Sequence, residues 1–257
     1  MRVKVGDFLN SLCNVEGVEE MTPEQFYEKL KEFNIELTEE QKWQLNRYYE
    51  LLVEWNEKMN LTGITEINKV YLKHFYDSLI GFLMFKDIHS CQTLCDVGSG
   101  AGFPALPVKI VFPHLKMDLV DSLGKRVNFL NHVIAETKLK NITAYHSRAE
   151  EYAAKHRESF DIVTARAVAR LNILSELCVP LVKEDGYFIA LKGQTGDEEL
   201  VESKKALETF GVEIIDVKHI ELPEEAGSRT NIYTKKYKKT PKKYPRAYGQ
   251  IKNKPLK

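Results

Sequence analysis

Apolar positions recur at helical spacing through the first third of the chain. Thr22-Pro23-Glu24 opens one such stretch, with Thr22 placed to cap it, Pro23 at the first helical position, and Phe26 and Leu30 on its apolar side. Thr38-Glu39-Glu40-Gln41 is a capping box, and it precedes Leu45, Tyr48, Leu51, Leu52 and Trp55. A third helical stretch is predicted over 66–82, through Val70, Leu72, His74, Phe75 and Leu79. From Cys91 the texture changes to short apolar runs alternating with helical patterns. Strands are predicted at 92–97, 116–121, 141–146, 160–165, 186–192, 212–220 and 230–236. Helices are predicted between them at 104–113, 123–138, 149–157, 170–182 and 197–210. This alternation builds a parallel sheet from βαβ units. The loop at 222–228 is too short for a crossover helix, so the last two strands should pair as an antiparallel hairpin.

At 257 residues, with 43% hydrophobic and 29% charged positions, the chain suits one α/β domain with an appendage rather than two full domains. No apolar run approaches the roughly 20 residues needed to span a bilayer, and no signal-peptide pattern opens the chain. A cytoplasmic protein without a membrane partner is expected. None of the four cysteines, Cys13, Cys91, Cys95 and Cys178, pairs with histidine at a zinc-site spacing, so free thiols and no metal site are expected. The 37 basic and 37 acidic residues cancel, yet ten of the basic ones fall within 235–257, where there is no acid. An acidic body thus carries a basic tail. The expected organisation is a disordered extension at 1–20 with Met21 a second candidate start, a helical segment at 21–88, a catalytic domain at 89–236 and the tail at 237–257.

The strongest chemical signal is Leu94-Cys95-Asp96-Val97-Gly98-Ser99-Gly100-Ala101-Gly102-Phe103-Pro104, an apolar strand running through a glycine-rich turn into a helix. Gly98, Gly100 and Gly102 permit a tight turn and close approach of a ligand to the backbone. The second strand ends in Asp121-Ser122, and Asp121 is placed to bind a ribose diol. A nicotinamide dehydrogenase is the competing reading, but its fingerprint is G-x-G-x-x-G, suited to a pyrophosphate. Here the spacing is G-x-G-x-G behind an acid, Asp96, which favours S-adenosylmethionine. The predicted fold is α/β, a class I Rossmann-like methyltransferase with a seven-stranded, mostly parallel sheet, an antiparallel last strand and N-terminal helices.

Missing motifs narrow the acceptor. After the fourth strand the chain reads Thr164-Ala165-Arg166-Ala167, without the Asn/Asp-Pro-Pro-aromatic run common in adenine N6 enzymes. Pyrimidine C5 chemistry needs a cysteine nucleophile, and Cys178 falls among the apolar positions of a helix. Guanine N7 needs neither device, because its lone pair is nucleophilic and bears no proton. The tail 235–246 interleaves cations with tyrosines and prolines; it reads either as a solubilising terminus or, against an acidic body, as an RNA contact.

Several stretches resemble the bacterial 16S ribosomal RNA guanine-N7 methyltransferase G family, also called glucose-inhibited division protein B. They are Leu52-Val53-Glu54-Trp55-Asn56-Glu57-Lys58-Met59-Asn60-Leu61-Thr62, His74-Phe75-Tyr76-Asp77-Ser78, the glycine turn ending in Phe103-Pro104, Val120-Asp121-Ser122 with Lys125-Arg126, Arg166-Ala167, and Thr240-Pro241-Lys242-Lys243-Tyr244-Pro245. The resemblance implies methylation of guanine 527, in the usual ribosomal RNA numbering, with the small subunit as partner and S-adenosylmethionine as cofactor. By position it implies that Gly98 and Phe103 hold the methionine side of the cofactor, Ala149 and Glu150 the adenine, and Arg166 the inner wall. His74 and Asp77, one helical turn apart, read either as a buried hydrogen-bonded pair or as part of a guanine pocket. Lys125, Arg126 and Lys192 read either as phosphate contacts or as solvated charges, and Lys242, Lys243 and Arg246 are the tail's RNA candidates. The ending Pro245-Arg246-Ala247-Tyr248-Gly249 departs from the family pattern. A monomer is expected. A methyltransferase of another RNA, a protein or a small molecule, and a non-catalytic RNA-binding module, are the competing functions.

Overall fold

Seven strands form one sheet: β1 (Thr93–Val97), β2 (Lys116–Asp121), β3 (Ile142–His146), β4 (Phe160–Arg166), β5 (Val182–Lys192), β6 (Val212–Glu221) and β7 (Ser228–Lys236). Their order is β3-β2-β1-β4-β5-β7-β6. Strands β1 to β5 pair in parallel, whereas β7 lies between β5 and β6 and runs antiparallel to both. The predicted hairpin therefore forms, and its second strand rather than its first joins the parallel set. Successive strands step one way from β1 through β2 to β3 and the other way from β4 to β5, so a crevice opens at the carboxyl ends where the direction reverses. The computed structural model describes residues 20–256, so the extension expected at 1–20 lies, apart from Glu20, outside the described residues.

Strand parity divides the interior. Leu94, Met117, Leu119, Ile162 and Ile189 point into one apolar cluster, and Cys95, Val97, Val120, Val163 and Ala190 into another on the opposite face. The first cluster is covered by α1 (Pro23–Lys31), α2 (Glu39–Met59), α3 (Ile67–Val70), α4 (Asp77–Leu83), α5 (Ala105–Val111) and α6 (Gly124–Glu136). The second is covered by α7 (Ala149–Lys155), α8 (Leu171–Cys178) and α9 (Gly196–Phe210). The expected caps form, and Thr22 as well as Thr38 makes a full capping box: their hydroxyls each accept from the backbone N–H three residues on, at 3.2 Å. Gln41 also donates to the Ile110 carbonyl at 2.7 Å, tying α2 to α5. A π-helical turn, Tyr71–Tyr76, replaces regular helix between α3 and α4. The described cysteines Cys91, Cys95 and Cys178 are free and buried.

The chain beyond β7 is docked on the body. Thr240 is buried and donates to the Phe210 carbonyl at 2.8 Å, and Arg157 donates to the Thr240 and Tyr244 carbonyls. Tyr244 meets Phe210 edge-on with ring centres 5.0 Å apart. Arg246 donates to both carboxylate oxygens of the wholly buried Glu176, at 2.8 and 2.7 Å, and its own backbone N–H joins them at 2.9 Å. A final helix, α10 (Tyr248–Asn253), buries Ile251 in the second cluster. Arg246, expected to contact RNA, anchors this segment through a bidentate, charge-assisted pair with a carboxylate out of solvent. Arg246→Ala leaves that carboxylate without its cation and is expected to lower the unfolding free energy by about 3 kcal/mol. Denaturant unfolding checks this, and a loss below about 1 kcal/mol would reduce the pair to a surface contact.

Candidate active site

The glycine turn after β1 has a backbone that side chains would spoil. Gly98 has φ of +77°, and a Cβ there would lie 2.5 Å from Val168 Cγ2. Gly102 has φ of +98°, and its Cβ would meet Leu106 at 2.4 Å and the Tyr48 hydroxyl at 2.9 Å. That hydroxyl donates to the Ala101 carbonyl at 2.5 Å, so α2 props the turn from below. Asp121, at the end of β2, fixes it from the side: one carboxylate oxygen accepts from the Gly100 N–H at 2.9 Å and the other from the Leu123 N–H at 2.8 Å. The Arg126 guanidinium stands 3.6 Å from the same carboxylate.

A cavity of about 530 Å³ opens above this turn, within the range of small-molecule sites. Of the residues expected around a cofactor, it brings together Gly98, Asp121, Ser122, Ala149 and Glu150, and it adds Arg126. Gly100 and Gly102 shape the turn without lining the cavity, and Asp96, Phe103 and Arg166 lie outside its lining. Val168 and Tyr248 do line it, and sequence reasoning singled out neither. Tyr248 comes from α10, some 150 residues after the glycine turn, and nothing local in the sequence announces that return.

Asp96 is wholly buried, and neither of its carboxylate oxygens receives a hydrogen bond. Burial pushes its pKa up to about 7. Ser99, the Ala105 amide and the Arg166 charge pull the other way from nearby. None of them bonds to the carboxylate, and the Ser99 hydroxyl donates to the Asp96 carbonyl instead, at 3.1 Å. Burial thus favours the neutral acid up to about pH 7.

A second cavity, of about 330 Å³, shares Ala167 with the first and is lined by His74, Asp77, Arg166, Lys192, Glu199 and Arg229, among others. Asp77 there accepts from two arginines, Arg166 at 3.1 Å and Arg229 at 2.7 Å. The Arg166 guanidinium lies 5.2 Å above the Phe103 ring, against which the His74 ring stacks at 4.4 Å. His74 and Asp77 do not form the hydrogen-bonded pair that an α-helix suggested, because the π turn ends between them and each finds other partners. His74 bonds through Nε2 to the Thr62 hydroxyl at 2.7 Å and through Nδ1 to the Lys73 carbonyl at 3.1 Å. Burial, with the Arg166 charge, lowers its pKa to about 4, so the ring is neutral near pH 7. A carbonyl can only accept, so Nδ1 carries the proton and Nε2 accepts from Thr62.

The basic residues expected to meet RNA fall into two groups. Lys192 is buried, 2.8 Å from Glu199 and 2.8 Å from the Ala169 carbonyl, and it braces the loop after β4 rather than facing solvent. Lys125, Lys242 and Lys243 are exposed. Lys125 and Arg126 line a third cavity with Met59, Asn60, Leu61 and Leu123, adjoining the first through Ser122, Leu123 and Arg126.

Comparison with known proteins assigns this architecture. The family described as rRNA small subunit methyltransferase G matches residues 41–227. Ribosomal RNA small subunit methyltransferase G of Staphylococcus aureus strain Newman is 54% identical over 237 residues, covering 92% of this chain and 99% of the relative. That of strain JH9 is 53% identical over the same lengths. The chain belongs to this family. Among solved structures, M. jannaschii TYW2 in complex with AdoMet is 16% identical, with a TM-score of 0.47 and coverage of 58% of this chain and 69% of that one. Methanococcus jannaschii fibrillarin is 20% identical, with a TM-score of 0.46 and coverage of 57% and 67%.

The state of Asp96 has a measurable consequence in this family member. Its folded pKa lies above the usual carboxylate value, so its contribution to stability is full below about pH 4 and is lost as pH rises through about 7. Without ligand, the parent is expected to lose on the order of 3 kcal/mol more unfolding free energy than Asp96→Asn between about pH 5 and about pH 8. Parallel pH profiles for the two proteins, measured by denaturant unfolding, would contradict the protonated state.

Proposed function

We propose that the chain transfers a methyl group from S-adenosylmethionine to N7 of a guanine in 16S ribosomal RNA, guanine 527 in the usual numbering. Membership of the family makes it a methyltransferase of small-subunit ribosomal RNA. The observation that carries the finer reading is the pair of cavities meeting at Ala167, one above the glycine turn and one beside the Asp77–Arg166–Arg229 cluster.

The first cavity fits the methyl donor. Gly98 presents bare backbone to the cavity, and the Asp121 carboxylate suits ribose hydroxyls. The donor supplies an electrophilic methyl on a sulfonium. The second cavity fits a base taken out of the stack. Asp77 holds Arg166 and Arg229 in place, and their N–H groups suit the guanine carbonyl oxygen. Guanine N7 bears no proton, so the site needs alignment and exclusion of water rather than a general base. That matches a neutral His74 whose two ring nitrogens are already occupied. Exposed Lys125, Lys242 and Lys243 remain to meet phosphates, and the protein acts as a monomer.

The test is incubation with labelled S-adenosylmethionine and small ribosomal subunits from a strain lacking this gene, followed by N7-methylguanine-specific chain cleavage. A single cleaved guanine is the expected result. Label at another atom or base overturns the N7 assignment, and label entering protein or small molecules but no ribosomal RNA overturns the acceptor.

A further inference from the structure

Among the described residues that line the first cavity, Tyr248 is the only aromatic one. The rest of the apolar lining is small or aliphatic, such as Val97, Val120, Val168 and Leu177, and the other flat groups there are the charged guanidiniums of Arg126 and Arg148. Tyr248 belongs to the docked C-terminal segment, which holds it from both sides in sequence. Before it, Arg246 grips Glu176, and the next residue, Leu177, is itself part of the cavity wall. After it, Ile251 is wholly buried. Positions 248 and 251 are neighbours on one side of a helix, so anchoring Ile251 in the core turns Tyr248 towards the same side. The exposed Lys242 and Lys243 lie outside this arrangement.

We infer that Tyr248 is a cofactor-contacting residue, its ring packing on the adenine of S-adenosylmethionine, and that the strap of residues 237–253 serves to hold it in the cavity. This rests on the reading that the first cavity holds the methyl donor. A base on an aromatic ring is a favourable, sequence-tolerant contact, and one that a terminal segment can add to a site built by loops. The basic tail thereby has a role inside the cofactor site, separate from any contact of its lysines with RNA.

Calorimetric titration of the full chain with S-adenosylhomocysteine and with 5′-methylthioadenosine, which lacks the amino-acid end, tests the contact. Tyr248→Leu is expected to weaken both ligands by a similar factor, roughly tenfold, and Tyr248→Phe to restore them to within about twofold of the parent. Equal loss for the truncated ligand, with rescue by Phe, is the signature of an adenine contact, which a merely loosened strap would not give. Unchanged affinities in Tyr248→Leu, or a loss confined to S-adenosylhomocysteine, would overturn the inference. Gly98→Asp separates the two levels: if it abolishes binding while Tyr248→Leu does not, the cavity is the cofactor's and only the tyrosine's role falls. If Gly98→Asp also binds normally, the cavity assignment falls and takes the inference with it. A Lys242→Ala, Lys243→Ala double variant is expected to bind both ligands as the parent does, and a loss comparable to that of Tyr248→Leu would overturn the separation from the lysines.

Discussion

The burial of Asp96 without a hydrogen-bond donor is the constraint around which the site is arranged. A carboxylate in that position is unfavourable while ionised, by several kcal/mol in the absence of compensation, and here it stays protonated to about pH 7. Parity along β1 places it on the face of the N-terminal helices, opposite Cys95 and Val97, where Arg166 at the end of β4 supplies a compensating charge. Arg166 is itself committed to Asp77.

The three parts of the chain that composition separates are joined at this site. The sheet supplies the glycine turn and Asp121. The N-terminal helices supply Tyr48, which props the turn, and His74 and Asp77, which line the second cavity. The C-terminal segment supplies Tyr248 to the first cavity and carries Arg246, whose partner Glu176 lies in α8. Ala167, with φ of +56°, lies where the two cavities meet, at the carboxyl end of β4. A methyl group passing from one ligand to another requires such adjacency, and the reversal of strand order between β1 and β4 provides it.

Much of this was legible in the sequence where the signal is local. Each strand and each long helix shows as periodicity, the cap at Thr22 and the capping box at Thr38 mark helix starts, and Gly98 and Asp121, picked out by spacing, both line the first cavity. What could not be read depends on contacts between distant residues. Arg229 reaches Asp77 across 152 positions, and Arg246 reaches Glu176 across 70. Neither pairing leaves a local pattern that sequence alone could show. The burial of Lys192 against Glu199 is illegible for the same reason, since Glu199 is distinguished from other helix-face acids only by burial. The π turn before Asp77 is invisible to a 3.6-residue period, which made His74 and Asp77 look like a pair.

In the function proposed above, the two cavities divide the reaction between donor and base. A crystal structure of the protein with S-adenosylhomocysteine tests it most directly. Density is expected above the glycine turn, with the ribose at Asp121 and the second cavity left for the base. Product lying between Asp77 and Arg229 in the second cavity would contradict it.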